Sequence, residues 1–145
     1  MKLFIASDHG GFELKEALKP FLEKKGIQAV DLGTASHDSV DYPDFAFDLA
    51  KKVSQEKGEA LGILICGTGI GMSIAANKVN GVRAALAYDE ETGRLCKEHN
   101  DANVLCLGGR TTSLEKAEKI IAAWLGVKFL GDRHERRVDK INAFK

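Results

Sequence analysis

The sequence lacks several features that would place it in a special class at once. Its formal net charge is zero, from 21 basic and 21 acidic residues, so no overall positive field attracts nucleic acid or an anionic membrane. No apolar run approaches the roughly 18 residues that a membrane-spanning helix requires. The first apolar run reaches Asp8 too early for a secretory signal peptide. We therefore expect a cytoplasmic protein that binds neither nucleic acid nor membranes.

Cysteine is also scarce, with three residues in the chain. An odd number without metal-type spacing is not typical of a disulfide framework or a zinc site, so we expect reduced thiols. The histidines and acidic residues show no paired ligand spacing either, and we expect no metal. Cys96 and Cys106 fall in the middle of a predicted helix and a predicted strand, where both are assigned to the core.

The composition is that of an ordinary globular protein, with 44% hydrophobic and 29% charged residues. Its 145 residues predict a single domain, 1–145. Five apolar, strand-like runs alternate with helical patterns, which predicts an α/β fold with a parallel sheet covered on both faces. The predicted strands are 2–7, 27–32, the run from 62, 82–88 and 102–107. The predicted helices are 12–25, 43–57, 74–78, 90–99, 112–124 and a tail helix from 132.

Several helix ends carry recognisable signals. Asp89 is a predicted N-cap for helix 90–99, and Thr112 with Glu115 forms a predicted capping box. Asp132 and Glu135 have the spacing of a cap pair for the tail helix. Pro20 falls inside the first helix, where we expect a kink.

The stretch from Gly62 to Ser73 is the most informative part of the chain. An apolar strand ends in glycines at every second position, Gly67, Gly69 and Gly71, and a helix then begins. Glycines let backbone N–H groups approach a ligand, and the helix dipole favours negative charge. Cys66 lies at the mouth of this turn and Thr68 lies inside it. We predict that the turn is the reaction centre of an enzyme acting on a small anionic substrate.

Three known glycine motifs do not fit this turn. It lacks the Gly-Lys-Ser/Thr ending of a phosphate-binding P-loop, and the third glycine of a dinucleotide fingerprint is replaced by Met72 or Ile74. A cysteine phosphatase loop would have arginine six residues after the cysteine, where this chain has Met72. The turn therefore supplies amides, a thiol and a hydroxyl, and a cation for a phosphate must come from elsewhere.

The tail helix offers such cations. Arg133 and Arg137 lie four residues apart and share one helix face, where two guanidinium groups suit a phosphate. The alternative is a solvated basic face interleaved with Glu135 and Asp139. The residues alone leave this choice open.

Other polar residues also have two interpretations. Cys66 is either a small core residue or a reactive thiol at a helix N-terminus, a position that favours the thiolate form. Asp8 and His9 are either a helix cap with a spare polar residue or donors and acceptors for a sugar or phosphate oxygen. His99 is either a C-cap histidine or an acid–base group. From the residues alone we infer an α/β enzyme with a small phosphorylated substrate and thiol or imidazole acid–base chemistry.

Five segments together resemble ribose-5-phosphate isomerase B, a family that includes the galactose-6-phosphate isomerase subunits. Each motif alone is weak, but together they cover nearly the whole chain in the right order. They are Ser7-Asp8-His9, Asp41-Tyr42-Pro43, the run from Gly62 to Lys78, the run from His99 to Leu105, and the run from Gly131 to Val138. The resemblance implies a Rossmann-like three-layer α/β/α sandwich with a five-stranded parallel sheet.

The same resemblance implies a reaction. It is the interconversion of ribose 5-phosphate and ribulose 5-phosphate in the non-oxidative pentose phosphate pathway, without metal or cofactor. Cys66 would be the base that carries a proton between C2 and C1 through an enediolate, and Thr68 would help to stabilise the anion. His99 would open the furanose ring. Some relatives use a glutamate base further along the turn, but that position here is Met72, so Cys66 keeps the role.

Further residues are expected to contact the substrate. By the resemblance these are Asp8, His9, Tyr42, Gly67, Gly69, Ile70, Gly71, Ser73, Asn100, Arg110, Arg133 and Arg137. Family members are dimers or dimers of dimers with the pocket at the subunit interface. We hypothesise that the tail helix docks on a neighbour through Val138, Ile141 and Phe144, and that its arginines enter the neighbour's pocket. Two alternatives are isomerisation of a six-carbon sugar phosphate and a non-catalytic sugar-phosphate sensor on the same fold.

Overall fold

A five-stranded parallel sheet with helices on both faces forms the body of the protein, in a computed structural model that describes residues 1–145. The strands are β1 (Lys2–Ser7), β2 (Ala29–Asp31), β3 (Ala60–Cys66), β4 (Ala84–Leu86) and β5 (Val104–Gly108). The helices are α1 (Phe12–Lys24), α2 (Tyr42–Gln55), α3 (Ile70–Ala76), α4 (Glu90–Asn100), α5 (Leu114–Leu125) and α6 (Arg133–Ala143). The predicted three-layer α/β/α sandwich is confirmed.

The pleat of the strands divides the core into two clusters. Ile63 and Ile65 of β3 face the layer of α1, α4 and α5, whereas Leu64 and Cys66 face α2 and α3. Successive strand side chains point to opposite faces, so a fully apolar strand such as β3 feeds both clusters. This alternation places the Cys66 side chain on the α2–α3 side.

The strand order is β2-β1-β3-β5-β4. The chain moves from β1 to β2 on one side and then crosses to β3 on the other side of β1. In open parallel sheets, ligands bind beyond the carboxyl ends of the strands at such a reversal. Here the reversal lies between β1 and β3, which end at Ser7 and Cys66.

Local signals predicted some helix ends and not others. Asp89 caps α4 as predicted: its Oδ1 accepts a hydrogen bond from the Thr92 amide at 2.8 Å, and the Thr92 hydroxyl accepts from the Asp89 amide. The predicted Thr112 box is wrong, because Ser113 is the N-cap of α5 and its Oγ accepts from the Lys116 amide. Asp132 is the N-cap residue of α6, as its position predicted, but it has φ +54° and its side chain makes no capping bond.

Other boundaries shift by a few residues. α3 begins at Ile70, four residues earlier than predicted, so the glycine turn is shorter and its third glycine, Gly71, is already helical. α1 continues through Pro20 to Lys24. β4 has three residues, fewer than the predicted strand 82–88. It is an edge strand because it pairs with β5 alone. No helix in the structure is long and apolar enough to cross a bilayer.

Candidate active site

The carboxyl ends of β1 and β3 lie side by side, because Ser7 pairs with Ile65 in the parallel ladder. Asp8 therefore follows β1 next to the place where Cys66 ends β3. The glycine turn, residues 67–69, leads from Cys66 directly into α3. The predicted reaction centre thus lies at the reversal of strand order, where the fold positions ligands.

Within the turn, the Cys66 sulfur accepts a hydrogen bond from the Gly69 amide at 3.2 Å. The Thr68 hydroxyl oxygen accepts one from the Ile70 amide at 3.3 Å, and the Ser73 hydroxyl donates to the Ile70 carbonyl. Cys66 is 5% exposed, whereas Thr68 is exposed. The sulfur is therefore held at the base of the turn, with the hydroxyl on its outer side.

Four amides of this segment have no acceptor within the chain. They are the N–H groups of Gly67, Thr68, Gly71 and Met72. Free amides at the start of a helix lie at the positive end of its dipole and suit an anion. The turn therefore combines a thiol with unused donors, which is the composition needed to stabilise a developing oxyanion.

Neighbouring loops pack closely around the turn. A Cβ atom on Gly10 would lie 3.1 Å from the Gly67 nitrogen and 3.3 Å from an Asp8 carboxylate oxygen. A Cβ atom on Gly71 would lie 2.5 Å from the Tyr42 ring. The structure thus brings Asp8, Tyr42 and the glycine turn together, and glycine is required where the loops meet.

Arg110 supplies a cation at the same place. Its amide donates to the Gly67 carbonyl at 2.9 Å, which ties the loop after β5 to the turn. A Cβ atom on Gly67 would lie 3.3 Å from the Arg110 Nη1 atom, so the guanidinium group lies beside the turn. One basic side chain of the predicted set therefore belongs to this cluster, which we call the thiol cluster: Asp8, His9, Tyr42, Cys66, Thr68 and Arg110.

His9 is fixed in a defined hydrogen-bonding state. Its Nδ1 atom accepts a hydrogen bond from the Val40 amide at 3.2 Å. A neutral imidazole with Nδ1 as the acceptor carries its proton on Nε2. Sequence reasoning missed the Val40 amide, because nothing in the pattern of residues 33–42 indicates which backbone group meets His9.

A second group of predicted residues lies on α4 and α6. The rings of His99 and His134 stack with centroids 4.2 Å apart and planes 14° apart. Asn100 ends α4, and Arg133 and Arg137 are exposed on α6. We call this group the arginine cluster: His99, Asn100, Arg133, His134 and Arg137.

Three residues at every fourth position attach α6 to the body. His134 and Val138 are buried, and the Asn142 Oδ1 atom accepts a hydrogen bond from Arg83 Nη1 at 2.8 Å. The predicted docking stripe is therefore partly wrong, because Val138 faces its own chain while Ile141 and Phe144 are exposed. Arg133 and Arg137 lie in the neighbouring row of the helix and point away from the attached face.

The charges of the arginine cluster act on His134. Its burial, the neighbouring His99 and the guanidinium groups of Arg133 and Arg137 lower the pKa of the His134 imidazole below its ordinary value of 6.5. The ring next to His99 therefore favours the neutral form. Sequence reasoning treated His134 only as part of a basic run, although its spacing from Val138 was a signal for an inward-facing position.

The thiol cluster lies at the carboxyl ends of the parallel strands, and the arginine cluster lies near their amino ends. We call these two ends the carboxyl edge and the amino edge of the sheet. α4 starts beyond the carboxyl end of β4 and runs back, so Asn100 lies near Arg83, which precedes β4. β3 and β5 pair from Gly62↔Val104 to Cys66↔Gly108. Four residues of parallel strand span about 13 Å. One chain therefore does not bring Cys66 together with His99, Asn100, Arg133 or Arg137.

The other two cysteines lie in the core as predicted. Burial raises the pKa of the Cys96 thiol to about 11 and also raises the pKa of Cys106. Both thiols stay protonated at neutral pH. No group of three or more His, Cys, Asp or Glu side chains is placed to hold a metal ion.

The chain is similar to known proteins over nearly its whole length. The sequence profile of the Ribose/Galactose Isomerase family matches residues 3–141. The ribose-5-phosphate isomerase B of Escherichia coli K12 is 42% identical over 144 residues, which cover 99% of this chain and 96% of the relative.

Solved structures match equally well. The ribose-5-phosphate isomerase B of Mycoplasma genitalium, solved with bound ribulose-5-phosphate, superposes with a TM-score of 0.96 at 48% identity, over 99% of this chain and 95% of the other. The enzyme of Clostridium thermocellum gives a TM-score of 0.94 at 48% identity, over 98% and 95% of the two chains. The chain therefore belongs to the ribose/galactose isomerase family.

Proposed function

We propose that this chain interconverts ribose 5-phosphate and ribulose 5-phosphate. The observation that carries the proposal is the Cys66 sulfur beside the free amides of the glycine turn, at the reversal of strand order. The M. genitalium relative, solved with ribulose-5-phosphate, supports this choice of substrate. The step belongs to the non-oxidative pentose phosphate pathway.

The chemistry follows from that arrangement. The Cys66 thiolate takes the proton from C2 of the open-chain aldose, and the C–H electron pair forms the C1–C2 double bond of an enediolate. The negative charge moves to the former carbonyl oxygen, where the free amides of the glycine turn and the start of α3, together with the Thr68 hydroxyl, stabilise it. A proton moves from the C2 hydroxyl to O1, the C2–O electron pair forms the ketone, and the C1–C2 double-bond pair takes the proton back from the thiol at C1, so protons and electrons balance without a redox partner.

The remaining predicted residues bind or prepare the sugar. Asp8, His9 and Tyr42 line the thiol side of the pocket, together with the backbone of Gly67, Gly69, Ile70 and Gly71 and the Ser73 hydroxyl. Arg110 approaches the substrate from the loop after β5. Arg133 and Arg137 bind the phosphate, Asn100 contacts the sugar, and His99 opens the furanose ring by proton transfer.

The two clusters meet only if two copies of the chain assemble. The thiol cluster of one copy then faces the arginine cluster of its partner, in a homodimer or a dimer of dimers. Exposed apolar side chains support this arrangement: Ile70 and Ile74 lie beside the glycine turn, and Ile141 and Phe144 lie on the exposed part of the tail. All three cysteines are free, which suits a reducing compartment, and we propose that the enzyme works in the cytoplasm.

The activity is tested directly. Purified chain, freed of metal with a chelator, is mixed with ribose 5-phosphate, and ribulose 5-phosphate is measured. We expect turnover, and we expect Cys66→Ala to lower kcat by about a thousandfold because the proton carrier is lost. Cys96→Ala is the matched control, since it removes another buried thiol that lies in the core. Near-normal turnover by Cys66→Ala would overturn the assigned base.

The shared site is tested by mixing two inactive variants, Cys66→Ala and Arg137→Ala. A mixed dimer has one site that lacks both residues and one site that keeps both. Random exchange of subunits should therefore restore about a quarter of the wild-type activity. If each site were built from a single chain, mixing would restore nothing.

A further inference from the structure

Arg83 joins the start of β4, the end of α4 and the end of α6, although it belongs to neither the thiol cluster nor the arginine cluster. It precedes β4, and its side chain is 15% exposed. Its Nε atom donates to the Asn100 and Asp101 carbonyls at 3.1 and 3.0 Å, and Nη2 donates to the Asp101 carbonyl at 2.8 Å. These bonds satisfy carbonyl groups at the end of α4, which an isolated helix leaves unpaired.

The same guanidinium group reaches α6. Its Nη1 atom donates to Asn142 Oδ1 at 2.8 Å, while Nη2 lies 3.5 Å from an Asp101 carboxylate oxygen. Asn142 is the last of the three residues that attach α6 to the body, after His134 and Val138. One planar side chain thus fixes the end of α4 and the end of α6 in a single arrangement.

Little else fixes α6. Beyond the His99–His134 stack and buried Val138, the segment before the helix is tied to α4 through the Leu130 amide, which donates to the Glu98 carbonyl at 3.0 Å. The helix is otherwise exposed, including Arg133 and Arg137. Its tilt about the His134 contact therefore depends on the bond at the far end, made by Asn142.

We propose that Arg83 is a positioning residue for phosphate binding. Through Asn142 it sets the direction of α6, and hence the place where Arg133 and Arg137 meet a phosphate group relative to His99. The inference rests on the proposed function for its substrate. It adds a residue that touches no substrate and acts on binding rather than on the proton transfer.

The test compares Arg83→Gln, Asn142→Ala and the double variant. We expect each single variant to raise KM for ribose 5-phosphate, and to weaken binding of inorganic phosphate in calorimetry, by about fivefold to fiftyfold. We expect kcat of Asn142→Ala to stay within about twofold, because this change leaves the thiol cluster and the bonds from Arg83 to the end of α4 in place. The double variant should match Arg83→Gln, since both changes break the same link.

Two controls separate positioning from general damage. Asn80→Ala makes the same chemical change at an exposed asparagine whose side chain makes no hydrogen bond within the chain, and it should leave KM unchanged. Asn142→Asp keeps an acceptor oxygen for Arg83 and should keep KM near the wild-type value. A lower melting temperature with unchanged KM and phosphate affinity would overturn the proposal, and so would additive effects in the double variant. If the wild type did not isomerise ribose 5-phosphate, the proposed function would fail, whereas phosphate calorimetry would still decide the role of Arg83.

Discussion

At the scale of single residues, Gly69 has the tightest surroundings of the glycines with a positive φ. It has φ +80°, and a Cβ atom there would lie 2.7 Å from Leu86 Cδ1 and 2.9 Å from the Leu107 carbonyl carbon. Its amide also holds the Cys66 sulfur. Backbone conformation, close packing and the site therefore all depend on the absence of a side chain.

This gives a prediction with a matched control. Gly58 also has a positive φ, +94°, but a Cβ atom there would meet nothing within 4 Å. Gly58→Ala should lower the free energy of unfolding by about 1 to 2 kcal/mol through backbone strain alone. Gly69→Ala should lower it by about 3 kcal/mol or more because the clash adds to the strain. Urea denaturation measures both, and equal losses would show that Leu86 and Leu107 yield without cost.

Residue identity predicted that Asp8, Cys66 and Thr68 follow strand ends at the same end of the sheet, whereas Tyr42 was expected only from the family resemblance. Residue identity could not predict Lys15, which is fully buried with its ammonium 2.7 Å from Asp31. Lysine is almost never buried unless it is paired, and the partner comes from a strand 16 residues further along the chain. Such pairings arise from tertiary structure and leave no local signal.

At the scale of elements, α6 is attached by one row of residues and exposed elsewhere. The apolar residues Val138, Ile141 and Phe144, three positions apart, predicted a helix correctly but not which row faces inward. The structure replaces the expected apolar stripe with His134, Val138 and Asn142, two of which are polar. α6 is held by the stacked rings of His99 and His134 and by the hydrogen bond from Arg83 to Asn142. The spacing of apolar residues does not indicate either contact.

The attachment of α6 should depend on pH. Burial, His99 and the two arginines lower the pKa of His134 in the folded state below 6.5. The imidazole of His134 has its lowered pKa in the folded chain and its ordinary pKa of 6.5 in the unfolded chain. Between these two values the unfolded chain binds more protons, so the free energy of unfolding rises with pH and reaches its full value above 6.5. We expect the free energy of unfolding to fall as the pH is lowered from about 7.5 to about 5.5.

His134→Phe provides the comparison, because it keeps an aromatic ring against His99 and cannot be protonated. Its stability should change less over the same pH range. Glu16 and Asp31 have lowered pKa values because hydrogen bonds from lysines outweigh their burial, so their contributions are lost only in more acidic solution. An identical pH slope in the variant and the wild type would contradict the role assigned to His134.

At the scale of the whole molecule, the sheet was the most predictable feature. Five apolar runs separated by helical patterns define a parallel α/β sheet, because parallel strands need crossover helices and buried faces. The resemblance suggested that the tail arginines enter a neighbour's pocket, but not that His99 and Asn100 lie beside those arginines and apart from Cys66 in one chain. That separation depends on helix direction: α4 begins at one edge of the sheet and delivers His99 to the other.

Activity should therefore depend on protein concentration. A single chain has only half of the proposed site at each edge, so specific activity should fall on dilution below the dissociation constant of the dimer. Activity measured over a dilution series, alongside sedimentation at the same concentrations, checks this. Circular dichroism at the lowest concentration would verify that the separated chains stay folded. Constant specific activity in a sample of single chains would contradict the shared site.

The separation of the two clusters across the sheet has a genetic consequence. In the proposed dimer, a subunit damaged at one edge inactivates only one of the two sites that it forms with a normal subunit. The allele that encodes it should therefore behave as recessive. An allele damaged at both edges, such as one that lacks both Cys66 and Arg137, silences both sites of every mixed pair. Such an allele would be dominant over the normal one even though its product folds and assembles.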